Sequence, residues 1–313
     1  MKLLYTFIYS VWYLFSLLPF RVLYVISDGL YLLIYKMIGY RRNVVRKNLC
    51  SAFPEKSEEE IKKIEHTFYH FLCDMVVESL KLMTISAESL KRHMVLKGTE
   101  VIAEAVEDGQ SVAIYTGHYC NWEWITPLPL WLTPKAQMGL IYHPLENQVF
   151  NRLFLRMRSR FGTVNISMQD TLRKLIEFNR KGQPMVVGFV SDQKPHWVNI
   201  HHWVDFLHHD TPVFTGTERV VKKLNYAAVY LDVRRLRRGY YEGEFRLMTR
   251  TPKEMPDFAL TDVYFTHLEQ TIQRDPTLWL WSHDRWARTR EEFNARFEVI
   301  DGKVIARKTV KSE

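Results

Sequence analysis

Three features of the sequence predict an α/β fold: a mixed, largely parallel sheet flanked by helices, set behind an N-terminal helical region. The 313 residues are 47% hydrophobic and 25% charged, which suits one large globular domain and excludes a disordered or collagen-like chain. Up to Thr84 the apolar residues recur at helical spacing. From Ser111 onward short apolar runs alternate with helical stretches, the pattern of strands joined by helices in a parallel sheet.

The first element is apolar and aromatic. Leu3 to Phe20 runs eighteen residues without a charge, about the minimum for a helix to cross a hydrocarbon core of ~30 Å. Tyr5, Tyr9, Trp12 and Tyr13 favour the headgroup boundary over the bilayer centre. Arg21 interrupts the run, and Val22 to Tyr35 continues it with Asp28 inside, so a span and an interfacial hairpin both stay open. No small-x-small cleavage site follows, which argues against a signal peptide. The formal net charge is +8, and the first fifty residues hold seven cations against the single acid Asp28. Charge concentrated beside an apolar segment points to an anionic membrane surface and away from nucleic acid. Arg41, Arg42, Arg46 and Lys47 outweigh Lys2, so the positive-inside bias places the rest of the chain on the cytoplasmic side. The expected division is a membrane anchor or interfacial hairpin over 1–40, a globular domain over 41–300 and a basic tail over 301–313. On this division residues 1–40 carry no catalytic group, and a chain starting near Tyr40 should remain folded and active.

Behind the anchor, Glu55 to Thr84 reads as an amphipathic helix, with Ile61, Ile64, Phe68, Phe71, Leu72, Met75 and Leu80 spaced by threes and fours. Val112 to Tyr115, Met138 to Tyr142, Met185 to Val190 and Ala227 to Val233 read as strands. Asn147 to Phe161 and Gln169 to Arg180 read as helices between them. Cys50, Cys73 and Cys120 are odd in number and widely spaced, which indicates a reducing compartment without a disulfide frame.

The segment richest in chemistry is Gly117-His-Tyr-Cys-Asn-Trp-Glu123. A β-branched run ends at Gly117, where the chain can turn sharply, and His118 falls just past the strand end, where active sites of open α/β sheets lie. On a continuous helix His118 and Glu123 would stand ~140° apart, but they can meet if His118 lies in the turn. A carboxylate on one ring nitrogen fixes the tautomer and leaves the other nitrogen as a base. Cys120 is the nearby candidate for covalent chemistry, and nothing in the sequence favours its thiolate.

His-x4-Glu at a strand end behind an apolar anchor resembles the His-x4-Asp/Glu glycerolipid acyltransferase superfamily, and Gly117 to Glu123 is similar to the bacterial lipid A late (secondary) acyltransferases. Six further segments resemble that family in its order. They are Arg46-Lys-Asn-Leu-Cys-Ser-Ala-Phe-Pro-Glu55, Ile141-Tyr-His-Pro-Leu-Glu-Asn147, Arg158-Ser-Arg160-Phe-Gly162, Val190-Ser-Asp192-Gln193, Thr215-Gly216 and Trp279-Leu-Trp-Ser-His-Asp-Arg-Trp286.

The resemblance implies a glycerolipid-acyltransferase-like fold and the transfer of a fatty acyl chain from acyl carrier protein or acyl-CoA to a hydroxyl of a lipid A precursor at the bacterial inner membrane. It implies His118 as general base and Glu123 as its orienting partner, with Arg158, Arg160, Asp192, Asn121 and Gln193 binding substrate. No metal or cofactor is expected beyond the acyl donor. The implied partners are acyl carrier protein, the glycolipid acceptor and anionic inner-membrane lipid. This sequence departs from the family pattern at His143, Asp284, Gln193-Lys-Pro-His-Trp197 and Phe206-Leu-His-His209. Another membrane glycolipid or an aminolipid therefore stays open as acceptor.

Histidines 196, 201, 202, 208 and 209 with Asp205 and Asp210 offer an alternative, a metal-dependent hydrolase, but lack paired-ligand spacing. Ser191-Asp-Gln-Lys194 matches Ser-x-x-Lys without its companion motifs. Arg234, Arg235, Arg237 and Arg238 read as a solvated basic turn facing anionic lipid or an acidic carrier protein.

Overall fold

The computed structural model describes residues 2–132, 135–300 and 302–307. Most of the expected basic tail, Asp301 and residues 308–313, lies outside the described residues. The helices are α1 (Lys2–Leu17), α2 (Phe20–Tyr31), α3 (Arg42–Ala52), α4 (Glu58–Lys81), α5 (Ala87–His93), α6 (Thr99–Glu107), α7 (Gln148–Arg158), α8 (Thr171–Arg180), α9 (Gly216–Leu224), α10 (Ala259–Arg274) and α11 (Arg290–Arg296). Strands β1 (Met94–Lys97), β2 (Val112–Thr116), β3 (Gln137–Tyr142), β4 (Val164–Ser167), β5 (Met185–Val190), β8 (Ala227–Arg237) and β9 (Tyr240–Thr249) form one sheet. Two small hairpins pair β6 (His202–Phe206) with β7 (His209–Val213) and β10 (Phe297–Ile300) with β11 (Lys303–Ala306).

The sheet order is β1-β9-β8-β2-β5-β3-β4, and every neighbouring pair is parallel except β8–β9. Central β2 is buried along its whole length, as a strand covered on both faces must be. Its neighbours are β5 and β8, and the register matches Thr116 with Val190.

The start of α4 is set by a capping box, in which Ser57 accepts from the Glu60 amide and Glu60 reaches back to the Ser57 amide. This helix is the spine on which the N-terminal residues fold. After α2 the chain runs on through a π-helical stretch, Leu32–Ile38. Helix α1 and this second segment form a pair bent by 115°, and among the described residues no single helix is long and apolar enough to cross a membrane. One flank of the pair carries uncovered apolar residues, including Leu3 at 87% and Val25 at 71% exposure.

The other flank is buried against the body through Trp12, Leu23, Tyr31 and Tyr35. Its polar groups meet α4: Tyr35 donates to Glu65 (2.9 Å), Ser27 to Asp74 (2.6 Å) and Tyr24 to Glu78 (2.9 Å). From α4, Lys81 donates to the Ser16 and Leu18 carbonyls. Arg238, in the β8–β9 turn, holds Asp74 and Asp28 together. The basic turn is therefore a clamp, not a free solvated loop. Its backbone lies so close to α2 that a Cβ on Gly239 would overlap the Tyr24 hydroxyl.

Glu78 is fully buried at the centre of this joint, accepting from Tyr24, Asn121 (2.8 Å) and Tyr241 (2.8 Å). Burial pushes its carboxyl up to about 7 against those three donors. The folded chain thus keeps a proton that the unfolded chain loses near 4.5, so stability should fall as pH rises from about 4.5 to about 7 and level off above. Glu78→Gln should flatten that slope in unfolding titrations run across pH 4–8.

Candidate active site

Parallel register builds the site. Thr116 and Val190 are matched partners, so the residues two beyond each, His118 and Asp192, emerge side by side from β2 and β5. His118 Nδ1 and Asp192 Oδ1 lie 2.6 Å apart, and the His118 amide donates to Asp192 Oδ2 at 2.8 Å. Trp279 Nε1 donates to the same Oδ2 at 2.8 Å. The intervening glycine makes the approach possible, because a Cβ on Gly117 would lie 2.7 Å from Leu268 Cδ1 and 3.2 Å from Asp192 Oδ2. The loop carrying Trp279 is tied in turn to this segment: the Leu280 amide donates to the His118 carbonyl (3.1 Å) and the Cys120 amide to the Leu278 carbonyl (3.0 Å).

The carboxylate that orients His118 is therefore Asp192, which corrects the expected pairing with Glu123. Burial alone would raise Asp192, but His118 and the donated hydrogen bonds outweigh it and hold the carboxyl down to about 2. A carboxylate on Nδ1 selects the tautomer whose Nε2 lone pair is free. That nitrogen faces the Gln193 amide at 3.3 Å, and Trp122 packs edge-on against the ring with centroids 5.0 Å apart. Gln193 is thus at the site, next to the atom that would take a proton.

Glu123 sits in a 3₁₀ turn, Trp122–Ile125, and is buried. Arg158, the last residue of α7, donates to both its oxygens, with Nε at 2.9 Å. Burial lowers Arg158, and the bidentate contact with Glu123 more than offsets it, so the guanidinium stays charged. The resemblance made Glu123 the orienting partner of the base and Arg158 a substrate binder; in the structure the two pair with one another.

Asn121 and Arg160, both expected to bind substrate, have their side chains engaged within the protein. Asn121 is buried, and its amide donates to Glu78, so it belongs to the joint beneath the site. Arg160 follows the end of α7 and donates to the Leu82 and Ile85 carbonyls just past α4, which satisfies acceptors a helix end leaves open. Arg160→Ala should accordingly cost about 1–3 kcal/mol of stability and leave turnover per folded molecule unchanged. Arg158→Ala removes one partner of a buried pair and should cost ~3–5 kcal/mol as well as most activity. Thermal unfolding and initial rates on both variants separate these outcomes, and equal effects would contradict them.

Cys120 is buried with a left-handed backbone, φ 52°, and burial pushes its thiol well above the usual value, which disfavours a nucleophilic thiolate. The histidines near β6 and β7 do not gather: His202 meets Asp262 at 2.6 Å, His209 bonds the Leu207 carbonyl and stacks on Trp286, and His208 turns the hairpin. Among the described residues no group of three His, Cys, Asp or Glu could hold a metal ion. Ser191 hydrogen-bonds Thr217 at 2.8 Å, not Lys194.

Sequence reasoning missed Trp279 and Asn48 as parts of the site's support. Asn48 donates to the Trp281 and His283 carbonyls at 2.9 Å each, fastening the Trp279–Trp286 segment to α3. Their signal was membership of two motifs of unassigned role.

A histidine on a buried aspartate at the ends of two parallel strands is an arrangement that can take up a proton, set on an α/β scaffold. The chain belongs to the bacterial lipid A biosynthesis acyltransferase family, whose family model matches residues 2–288. It is 24% identical to the lipid A biosynthesis palmitoleoyltransferase of Escherichia coli (strain K12), over 88% of this chain and 89% of that one. It is also 24% identical, over 53% of its length, to lipid A biosynthesis acyltransferase 2 of Shigella flexneri and to the lipid A biosynthesis myristoyltransferase of Escherichia coli (strain K12). Those two alignments span 51% and 49% of the relatives, so the chain matches about half the length of each.

Proposed function

We propose that the protein transfers a fatty acyl chain from a thioester donor, acyl carrier protein or acyl-CoA, to a hydroxyl of a lipid A precursor on the cytoplasmic side of the bacterial inner membrane. The observation that carries this reading is the His118–Asp192 hydrogen bond, which leaves Nε2 as the acceptor nitrogen, contacted by the Gln193 amide at 3.3 Å, a weak donor that an acceptor hydroxyl can replace.

In the first step Nε2 of His118 takes the acceptor hydroxyl proton as the oxygen bonds to the thioester carbonyl carbon. A secondary hydroxyl is a poor nucleophile at neutral pH, and a positioned base is worth ~10²–10⁴ in rate. The tetrahedral oxyanion then collapses, the carbon–sulfur bond breaks, and the departing thiolate recovers the proton from His118. Gln193, beside Nε2, binds and orients the acceptor, and the Glu123–Arg158 pair holds the turn after His118 in place. Residues 1–40 dock on anionic lipid through the uncovered flank of α1 and α2 while their other flank packs on α4. The family membership and the relatives' activities support acyl transfer to lipid A, whereas the departures around His143 and Asp284 bear on which acceptor is used.

The test is mass spectrometry of lipid A from cells lacking the gene and complemented with the parent or with His118→Ala. Loss of one acyl chain in the deletion, restored by the parent and not by the variant, is the expected result. Unchanged lipid A in the deletion would redirect the search to other glycolipid or aminolipid acceptors.

A further inference from the structure

On the Gln193 side of His118, cations gather that neither the base nor the Glu123–Arg158 pair accounts for. Lys194 directly follows Gln193, and its amide donates to His283 Nε2 at 3.2 Å. Arg41, held in a left-handed conformation with φ 51°, donates from Nη1 to the Ser282 carbonyl at 2.9 Å. Arg288 Nη1 donates to the Pro195 carbonyl. Arg285 is fully buried; Nη2 donates to the Pro212 carbonyl at 2.8 Å, and Nε and Nη1 have no hydrogen-bond partner. Lys194, Arg41 and Arg288 therefore meet at the loop after β5 and the 282–288 segment, and Arg285 belongs to that segment, its side chain reaching β7. The three guanidiniums lean there on backbone carbonyls, which leave their charge in place.

The counter-charge is thin. Asp192 is engaged by His118 and Trp279, and Asp210 by Arg290. Asp284 acts on Lys194 in opposition to Arg288, Arg41 and Arg285. His283 adds no charge at neutral pH, since burial, then Arg285, push its ring down to about 4. Burial lowers Lys194 below its usual value, and the three arginines add to that against the single opposing charge of Asp284. Like charges held this close are costly unless an anion joins them, and forked guanidiniums around an ammonium suit the oxygens of a phosphate.

We propose that Lys194, Arg41 and Arg288, backed by buried Arg285, form a phosphate-binding site beside the reacting centre, distinct from Arg158. This rests on the acyl-transfer reading for its biological ligand, and two substrates could supply the phosphate: a phosphorylated glycolipid acceptor or the phosphate of the donor's pantetheine arm. Occupation would place the substrate's anchor next to Gln193, so that its hydroxyl or its thioester reaches His118 Nε2.

The experiment uses the full chain in detergent. Calorimetric titration with inorganic pyrophosphate should show binding that Lys194→Met and Arg288→Ala weaken roughly tenfold or more, the size of one lost charge-assisted hydrogen bond. Lys194→Arg should bind nearly as the parent does, which also shows that the position tolerates replacement, and His118→Ala should bind unchanged. In kinetics on the same variants, a raised KM for the glycolipid alone assigns the phosphate to the acceptor, and a raised KM for acyl-CoA and acyl carrier protein assigns it to the donor. Because pyrophosphate binding needs no turnover, a chain that binds it yet transfers no acyl group keeps the site and loses the acyl-transfer reading. Equal pyrophosphate affinity in the parent and Lys194→Met overturns the proposal.

Discussion

Asp192→Asn should lower kcat by about 10³-fold or more while KM changes little, because the side chain touches the base and not the substrate. The shape is preserved, and an amide oxygen can still accept from the His118 amide and from Trp279 at the positions where Asp192 does so now. What is lost is the negative charge on Nδ1, which selects the tautomer and stabilises the imidazolium as the hydroxyl proton arrives. Glu123→Gln keeps a partner for Arg158 and should be much milder. His118→Ala combined with Asp192→Asn should be little worse than His118→Ala alone, since the two act as a unit. Initial rates at varied acceptor, with unfolding midpoints as a control, check this ordering. A fully active Asp192→Asn would remove His118 from the role of base.

Deleting residues 1–40 should abolish folding, not free a soluble enzyme. The sequence suggested a detachable anchor, but the deletion strips Glu65, Asp74 and Glu78 of the partners Tyr35, Ser27 and Tyr24. Arg46, Arg238, Asn121 and Tyr241 still reach these carboxylates, so the loss is that of three hydrogen bonds, each worth about 1–3 kcal/mol. Losing Leu23, Tyr31 and Tyr35 from the core adds ~1.5–3 kcal/mol for each buried apolar side chain. Against a total stability of about 5–15 kcal/mol, little would remain. Calorimetry of the truncated chain should show no cooperative transition. A sharp transition with retained activity would show that the joint is dispensable, and substitutions confined to the outer flank, such as Leu3→Asp with Val25→Asp, would then be the way to separate attachment from folding.

The strands at the centre of the sheet were legible because burial on both faces leaves near-continuous apolar runs; the runs at 112–115, 138–142, 185–190 and 227–233 all lie within strands. Strand β9 escaped notice because Glu242, Glu244 and Arg246 alternate with its apolar residues. His118 was legible as a site residue from its place after a strand. Its partner was not, since Glu123 is near in sequence and Asp192 is 74 residues away. The clue was equal offset: each residue lies two past the end of its strand, and parallel register makes equal offsets neighbours. Arg160 was misplaced for a related reason. The expected helix ran on to Phe161, whereas α7 ends at Arg158 and the chain beyond it carries Arg160 to the Leu82 and Ile85 carbonyls.

The clamp formed by Arg238 also sets an order of events during synthesis. Asp28 and Arg238 are 210 residues apart. At ~5–20 residues per second, roughly 10–40 s pass between the emergence of the first and of the second. Throughout that interval the N-terminal pair lacks the residue that locks it to α4, and its outer apolar flank stays uncovered. Whatever apolar surface lies near the ribosome meets that flank before the clamp can close. Attachment to a bilayer, as proposed above, would then precede closure of the active site, and the enzyme would mature already in place.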